Sequence, residues 1–356
     1  MADTLNKIAL LGLGKVGALA GELLQEAGFE VIGFDIHQPA ELSIETRSID
    51  VSDTDQINAA LKDFDAVFSA LPYHLNLNVA ETAHSIGIHY FDLTEDVATT
   101  KAIIELSRTS KGVMVPQCGL APGFVGIVGA DLIARFEHCR SCKMRVGALP
   151  QNPTGLMGYS FNWSPEGVVN EYLNDCEVIE EGELKTVSPM EWKEKIYIDG
   201  VELEAFTTSG GLGTMCETYL GIVPNIDYKT LRYPGHMDQM NFFFHELLMR
   251  NRRKEAGEIL VEAKPPVKQD IVYIHVSAEG DIDGQLFREE FVRSFRPKEI
   301  GGMERTAIAW TTSSSAVAVV ELVRAGILPQ SGYLKQEDIR LDMLAQTTTG
   351  KYLLQN

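Results

Sequence analysis

No apolar run in this 356-residue chain approaches the roughly 18 consecutive residues that a helical membrane span needs. A membrane partner is therefore not expected. The opening run, Met1-Ala-Asp-Thr-Leu-Asn6, enters a strand pattern almost at once and leaves no room for a secretory signal. Positive charge is scarce: 31 Lys and Arg stand against 50 Asp and Glu, for a net −19. That balance argues against nucleic acid or an anionic membrane as partner. Cysteine is also sparse and odd in number, five in all, which points to reduced thiols and a cytoplasmic location. Cys139-Arg-Ser-Cys142 is a C-x-x-C preceded by His138, but no second C-x-x-C or H-x-x-x-H completes a zinc set. No thioredoxin-like context surrounds it, so no metal site is expected. Internal repeats and long low-complexity linkers are missing too. What remains is an ordinary globular composition, 45% apolar, over a length that suits about two domains.

The most informative feature present is Lys7-Ile-Ala-Leu-Leu-Gly12-Leu-Gly14-Lys15-Val16-Gly17. An apolar strand leads into G-x-G-x-x-G, and a helical period follows at Leu19, Ala20, Leu23, Leu24 and Ala27, with Gly28 where a C-cap belongs. The first glycine allows a tight turn, the second lets a pyrophosphate approach the backbone, and the third lets helix pack on strand. The diphosphate would meet a positive helix N-terminus. Glu30-Val-Ile-Gly-Phe-Asp35 reads as a second strand ending in an acid, 18 positions after Gly17 and close to the expected spacing of about 20. A carboxylate there accepts hydrogen bonds from ribose hydroxyls and repels a 2′-phosphate. The expected cofactor is NAD rather than NADP.

Strand signals at 7–11, 30–35, 46–50, 65–71, 88–92 and 112–116 alternate with helices. One helix is capped by Ser52, with Ile57, Ala60, Leu61 and Phe64 on a face. Others span about 76–86, 96–110 and 122–136. This alternation predicts a Rossmann-type doubly wound parallel sheet over residues 1–136. A second α+β domain with a mixed sheet is expected over 137–310. Its strands fall near Met144–Leu149, Lys195–Asp199, Ile271–Val276 and Thr306–Thr311, and its helices near 165–173, 189–193 and 238–256. The basic run Arg250–Lys254 would close the last of these as a solvated C-terminal end. The segment 311–356 would return to the first domain through a helix rich in small residues at 313–325.

In a doubly wound sheet, ligands bind beyond the carboxyl ends of the strands. The residues expected against the cofactor are Gly12, Gly14, Lys15, Val16, Gly17 and Asp35, then Ala70, Leu71 and Pro72, then Gly119, Leu120, Ala121 and Pro122. Among the titratable groups in these loops, Tyr73, His74, Asp92 and Glu95 are the candidate proton-handling residues, with Thr94 and Asp96 beside them.

The segments Gly119-Leu-Ala-Pro-Gly123, Gly147-Ala-Leu-Pro150, Tyr159-Ser-Phe-Asn-Trp-Ser-Pro-Glu-Gly167, Leu203–Gly211 and Tyr228-Lys-Thr-Leu-Arg-Tyr-Pro-Gly-His236 lie outside any general Rossmann pattern. On them the chain resembles the saccharopine dehydrogenase-like family, and within it most closely the lysine 6-dehydrogenase branch. The resemblance implies oxidation at an amine-bearing carbon of an amino acid. It places Asn162, Ser209, Gly210, Gly211, Thr230 and Arg232 in the substrate region. The Arg232 fork suits a substrate α-carboxylate, with a structural ion pair as the alternative. The glutamate-forming branch of the family carries an acid where this chain has Ala121, and an Arg within the stretch matching Ser209–Gly211. Losing that charge-assisted bond costs about 1.5–3 kcal/mol, which favours lysine or a similar amino acid over saccharopine. A glutamate-forming saccharopine dehydrogenase and a non-catalytic NAD-binding protein are the alternatives. A homodimer formed through the second domain's sheet is expected from the commonness of two-fold oligomers.

Overall fold

The glycine fingerprint joins a buried strand to a helix. The computed structural model describes residues 5–37, 39 and 42–355. The expectation drawn from Met1–Thr4 lies outside them. In chain order the first elements are β1 (Lys7–Leu11), α1 (Lys15–Glu26), β2 (Glu30–Phe34), β3 (Glu45–Arg47), α2 (Thr54–Leu61), β4 (Ala66–Ser69), α3 (Tyr73–Ile86), β5 (His89–Asp92), α4 (Val97–Ser107), β6 (Val113–Val115) and α5 (Val125–Ile133). There follow β7 (His138–Pro150), α6 (Pro165–Leu173), β8 (Cys176–Glu180), β9 (Glu183–Val187), β10 (Glu194–Ile198), β11 (Val201–Thr207), α7 (Met215–Tyr219), β12 (Ile226–Arg232), α8 (His236–Asn241), α9 (Arg253–Ala263), β13 (Asp270–Ile282) and β14 (Gln285–Phe295). The last are β15 (Lys298–Ile300), β16 (Met303–Arg305), α10 (Ala307–Arg324), β17 (Gly332–Tyr333), α11 (Leu341–Leu344) and α12 (Gly350–Leu354). The chain forms two units, Met1–Ile127 with Ala309–Asn356, and Val128–Ile308.

The first unit is built on a seven-stranded sheet in the order β17-β6-β5-β4-β1-β2-β3. Every pairing in it is parallel. Strand order reverses between β1 and β4, which is the topological switch point of a doubly wound sheet. The strands are buried on both faces, as parallel strands under helices must be: Ile8, Ala9, Leu10, Leu11, Val67 and Phe68 are all inaccessible. In the C-terminal segment, the Ser313 hydroxyl donates to Val16 O (2.9 Å) and Arg324 lies 3.8 Å over the Phe29 ring.

The second unit carries a mixed sheet in the order β10-β11-β12-β7-β13-β14, with the β8–β9 hairpin attached to β12. β12 runs parallel to β7 and the other neighbours are antiparallel. Its core packs Leu149, Phe161, Val168, Tyr172, Leu203, Phe206, Leu231, Phe244, Leu260 and Ile271 between sheet and helices. The doubly wound sheet plus a mixed-sheet α+β unit is the fold class expected from the sequence.

Several local expectations need correction. Asp53, not Ser52, caps α2, accepting from the amides of Asp55 and Gln56, while Ser52 donates to Asp50. Thr306–Thr311 is not a strand. Helix α10 begins at Ala307 because the Asp270 carboxylate accepts from the amides of Ala307 and Ile308 (2.6 and 3.0 Å). Residues 189–193 form an irregular bend rather than a helix, with Met190 and Trp192 at positive φ. The run 238–256 is broken: Leu248 sits at φ +59, and α9 starts afresh at Arg253. The basic run therefore opens a helix instead of closing one; Arg252 pairs with Glu255, and Arg253 donates to the side-chain oxygens of Asn170 and Asn174. No helix among the described residues is long and apolar enough to cross a membrane.

Candidate functional site

The glycine loop is shaped by steric necessity at two of its three glycines. Gly12 lies at φ +89, and a Cβ there would sit 2.8 Å from Ala70 O. A Cβ at Gly17 would fall 1.9 Å from Gly12 O. At Gly14 a Cβ would meet no atom of the chain within 4 Å. The chain itself needs no glycine at 14, so that open approach fits a ligand's need for backbone contact. Gly14 is the N-cap of α1 and offers no side-chain acceptor to the helix's first amides. Lys15 and Val16 form that first turn. An open glycine before uncapped helical amides fits a diphosphate.

Asp35 follows β2 and is held beside this loop. Its Oδ2 accepts from Leu13 N (2.7 Å) and its Oδ1 from His37 N (2.9 Å). A carboxylate has about four acceptor positions, so it retains capacity for sugar hydroxyls. The basic group on the neighbouring strand, Arg47, is paired with Glu45 at 2.8 Å.

The loops after β4, β5 and β6 complete this edge of the sheet. Ala70 N donates to Leu11 O (2.8 Å), which seats Ala70, Leu71 and Pro72 beside the glycine loop. Tyr73 and His74 open α3 with their rings edge to face, 5.7 Å apart. After β6, Gly119, Leu120, Ala121, Pro122 and Gly123 make a tight turn with a cis Ala121–Pro122 bond. Gly123 lies at φ +132, and a Cβ there would meet Gln117 O at 2.9 Å. The turn is closed by Phe124 N donating to Gly119 O (2.9 Å).

Asp92 does not stand open to a substrate, which corrects its place among the proton-handling groups. It is 0% exposed. Its Oδ1 accepts from Thr94 N (2.9 Å) and Gln117 N (3.0 Å), and its Oδ2 from Tyr90 OH (2.6 Å). The side chain ties the end of β5 to the end of β6. Burial pushes its pKa up to about 6 against the lowering effect of those three donors. Asp96 is likewise occupied, as the N-cap of α4, accepting from Thr99 N and Oγ1, both at 2.8 Å. At this edge Tyr73 and Glu95 are partly exposed and His74 is exposed.

The residues that the resemblance assigns to substrate lie in the second unit. Asn162 staples two loops: its Nδ2 donates to Val267 O (3.1 Å) and its Oδ1 accepts from Val267 N (2.7 Å). Both ends of the amide are thus engaged within the chain. Gly210 lies at φ +88, and Ser209 N donates to Glu171 O (3.1 Å). Gly211 packs under the Tyr228 ring, whose Cε1 is 2.3 Å from where a Cβ would stand. Thr230 accepts from Arg232 Nη1 and donates to Val146 O (3.4 Å).

Arg232 is 3% exposed and embedded in a polar chain that no local sequence pattern marks. Its Nε donates to Tyr172 OH (2.7 Å) and its Nη1 to Thr230 Oγ1 and Leu231 O. Its Nη2 lies 3.7 Å from Glu171. The guanidinium stands over the Tyr159 ring, 4.7 Å from the centroid. A bidentate grip on a carboxylate needs two adjacent donors of the fork, and either edge includes Nε or Nη1. Both are already given to the chain's own oxygens. This is the arrangement of a buried structural ion pair, the alternative to a substrate fork.

The chain continues past Tyr172. Because Tyr172 O accepts from Arg232, its proton goes to His236 Nε2 (2.9 Å), and His236 Nδ1–H donates to Met157 O (2.9 Å). The imidazole must be neutral for this pattern. Burial, with Arg232 adding to it, lowers its pKa to about 3. Tyr172 and His236 lie within or beside the family-like segments, but no spacing rule marked them as partners 64 positions apart.

Protons bind His236 less well in the folded state (pKa about 3) than in the unfolded chain (about 6.5). Its contribution to stability is thus complete above about pH 6.5 and is lost as the pH falls toward 3, at up to about 1.4 kcal/mol per pH unit. Denaturant titrations of wild type and His236→Gln at pH 7 and pH 5 check this. The wild type should lose more stability between the two pH values than the variant. Equal losses would mean that the imidazole is not held neutral.

Family models match nearly the whole chain. The saccharopine dehydrogenase NADP binding domain covers residues 8–115, and the saccharopine dehydrogenase C-terminal domain covers 119–348. Saccharopine dehydrogenase [NADP(+), L-glutamate-forming] of Saccharomyces cerevisiae is 27% identical over 154 residues, 40% of this chain and 33% of that protein. The same-named protein of Pyricularia oryzae is 26% identical over 261 residues, 65% and 56% respectively. The chain thus matches about half or less of the length of these curated relatives. Among solved structures, apo saccharopine dehydrogenase (L-Glu forming) from Saccharomyces cerevisiae superposes with a TM-score of 0.73 at 16% identity, over 96% of this chain and 98% of that one. Glycine loop, switch-point sheet and mixed-sheet unit fall within these two matched models, and the chain belongs to the saccharopine dehydrogenase family.

Proposed function

We propose that the chain is a nicotinamide-dependent dehydrogenase that oxidises the amine-bearing carbon of an amino acid, with lysine or a close relative as substrate and NAD as preferred cofactor. The observation that carries this reading is the glycine loop at the switch point, open at Gly14 and flanked by Asp35. Gly12, Gly14, Lys15, Val16 and Gly17 would hold the diphosphate, and Asp35 the adenosine ribose. Ala70, Leu71, Pro72 and Gly119–Pro122 would line the nicotinamide end. When bound there, the nicotinamide would supply the hydride acceptor.

The chain's own work is on the proton. A substrate amine has a pKa of about 10 and must be neutral to release the hydride from its carbon. Glu95, partly buried beyond β5, takes that proton. The substrate's C–N bond becomes an imine, and water converts it to an aldehyde and ammonia. The acidic loops and the net charge of −19 attract a cationic substrate.

Two features favour a substrate smaller than saccharopine. Position 211 offers no side chain, and the Tyr228 ring leaves no space for one. The names of the curated relatives favour the other reading, glutamate-forming oxidation of saccharopine with NADP.

A panel of lysine, other amino acids, polyamines and saccharopine with NAD or NADP, followed by absorbance of the reduced cofactor, decides between them. Lysine-type substrates with NAD should give the higher kcat/KM. Saccharopine turnover with NADP would replace this reading by the second. Glu95→Gln should lower kcat by about 100-fold or more while cofactor affinity holds. An unchanged kcat would remove Glu95 from the mechanism.

A further inference from the structure

A buried polar chain crosses the seven-stranded sheet at the carboxyl ends of three neighbouring strands, β4, β5 and β6. At the end of β4, Ser69 Oγ donates to Asn76 Oδ1 (2.7 Å), on the first turn of α3. The Tyr90 hydroxyl, on β5, lies 3.3 Å from Asn76 O and gives its one proton to the nearer Asp92 Oδ2 (2.6 Å). Asp92 Oδ1 accepts from the amides of Thr94 and Gln117, and Asp92 O accepts from Cys118 N (2.9 Å). Beyond β6, Gln336 of the C-terminal segment donates to Pro116 O (3.2 Å) and lies 3.6 Å from Cys118 Sγ. Ser69, Asn76, Tyr90, Asp92 and Cys118 are at most 1% exposed. Whatever they do to a reaction therefore passes through the loops they hold.

The links stand directly before the loops of the candidate site. Ser69 precedes Ala70, Leu71 and Pro72. The bond to Thr94 N fixes the residue before Glu95, and Gln117 and Cys118 precede the turn Gly119–Gly123. Gln117 sits at φ +65, in the left-handed region that a residue with a Cβ adopts at a cost, and its amide is held there by the carboxylate. Packing alone does not account for the chain. Asn76 Nδ2 and Gln336 Oε1 are buried with no hydrogen-bond partner among the described residues. Apolar side chains of the same shape would fill this space without leaving polar atoms unmet.

We propose that Tyr90 and Asp92 are positioning residues for the reaction, the centre of a buried chain that holds the loops after β4, β5 and β6 in one fixed arrangement. The proposal rests on the reading of those loops as the nicotinamide and proton-handling end of the site. A hydride and a proton must leave neighbouring atoms of one substrate, so the wall formed by Ala70–Pro72 and Gly119–Pro122 and the loop that carries Glu95 have to keep a constant separation. A shift of about 1 Å in such a geometry costs about 100-fold in rate. One carboxylate oxygen serves both loops, since Thr94 N and Gln117 N meet on Oδ1, and its charge strengthens both bonds. Among the described residues none of these bonds reaches the glycine loop or Asp35, so the chain acts on one end of the site only.

Steady-state kinetics and NADH titrations of Tyr90→Phe, Asp92→Asn and Asp92→Ala test this, with Val67→Ala as a buried control on β4 outside the chain. Tyr90→Phe removes one hydroxyl and keeps the ring. Its kcat should fall about tenfold, while the Kd for NADH, set at the glycine loop, holds. Asp92→Ala frees both loops and should lower kcat about 30-fold. Asp92→Asn keeps an oxygen for the two amides and should recover most of that loss. Val67→Ala should melt earlier and keep the wild-type kcat, which separates positioning from stability. Emission of bound NADH is read on the same proteins, because it senses the surroundings of the nicotinamide without turnover. It should change in Tyr90→Phe and Asp92→Ala and stay constant in Val67→Ala. Unchanged kcat and emission in Tyr90→Phe and Asp92→Ala overturn the proposal. So does an Asp92→Asn protein no better than Asp92→Ala, or a Val67→Ala protein that loses kcat equally. A wild type that binds NADH but oxidises no amino acid removes the substrate reading alone, and the emission then decides. One that binds no NADH overturns both.

Discussion

Gly17→Ala abolishes dinucleotide binding, with an expected loss of affinity of at least about 100-fold, or roughly 2.8 kcal/mol at 1.4 kcal/mol per decade. The cause is internal. A Cβ at 17 would stand 1.9 Å from Gly12 O, so either the loop or the start of α1 must move. Gly12 cannot yield easily, because its own neighbour, Ala70 O, would be only 2.8 Å from a Cβ at 12 and its amide donates to Phe34 O at 2.9 Å. The displaced helix start no longer converges its amides on one point. Overpacking of this kind also costs stability, about 1–3 kcal/mol. Gly14→Ala separates the two effects. It meets nothing in the chain, so its melting temperature should equal the wild type's while its affinity for the cofactor falls. Calorimetric titration of NADH and NADPH with thermal melts of both variants measures this. A Gly14→Ala protein that binds as tightly as wild type would show that no phosphate lies against residue 14.

Arg232→Ala lowers the stability of the second unit by about 3–5 kcal/mol, because truncation strands a buried partner and leaves a cavity. Glu171, itself nearly inaccessible, loses its cation, Tyr172 O loses its donor, and the Tyr159 ring loses the guanidinium stacked on it. Arg232→Lys should recover only part of the loss, since an ammonium cannot reach Tyr172, Thr230 and Leu231 O from one fork. Urea unfolding of the three proteins gives the comparison. If Arg232→Ala unfolds like wild type but fails to bind an amino acid, the residue is a substrate anchor and the structural assignment is wrong.

The two predictions fall on opposite sides of what the sequence makes legible. Gly12, Gly14 and Gly17 could be found without coordinates, because a strand, a turn and a helix within a dozen residues are local events governed by φ and by the Cβ that glycine lacks. Ser52 and Asp53 differ by one position of register, and both residue types suit a helix N-cap, so the sequence comes within one residue of the cap. Thr306–Thr311 was misread because its fate depends on Asp270, whose carboxylate caps the helix from 37 positions away. Residues 189–193 were misread because Met190 and Trp192 adopt positive φ, which neither residue type announces.

The candidate site divides in the same way. Asp92, Asn162 and Arg232 have the right chemistry for acid–base work and for binding an amino acid, and residue type is all that a sequence displays. Burial and prior hydrogen bonding decide whether that chemistry is available. Asp92 spends its oxygens on Tyr90, Thr94 and Gln117, and Arg232 spends its fork on Tyr172, Thr230 and Leu231. By itself the sequence determined the parallel switch-point sheet, the glycine loop and the membership of a family, because periodicity, turn sterics and extended motifs are written along the chain. Only the tertiary structure decided which polar groups are enclosed by the chain's own hydrogen bonds, and that His236 is held neutral. Those depend on which residues distant in sequence share a hydrogen bond, and no local pattern encodes that.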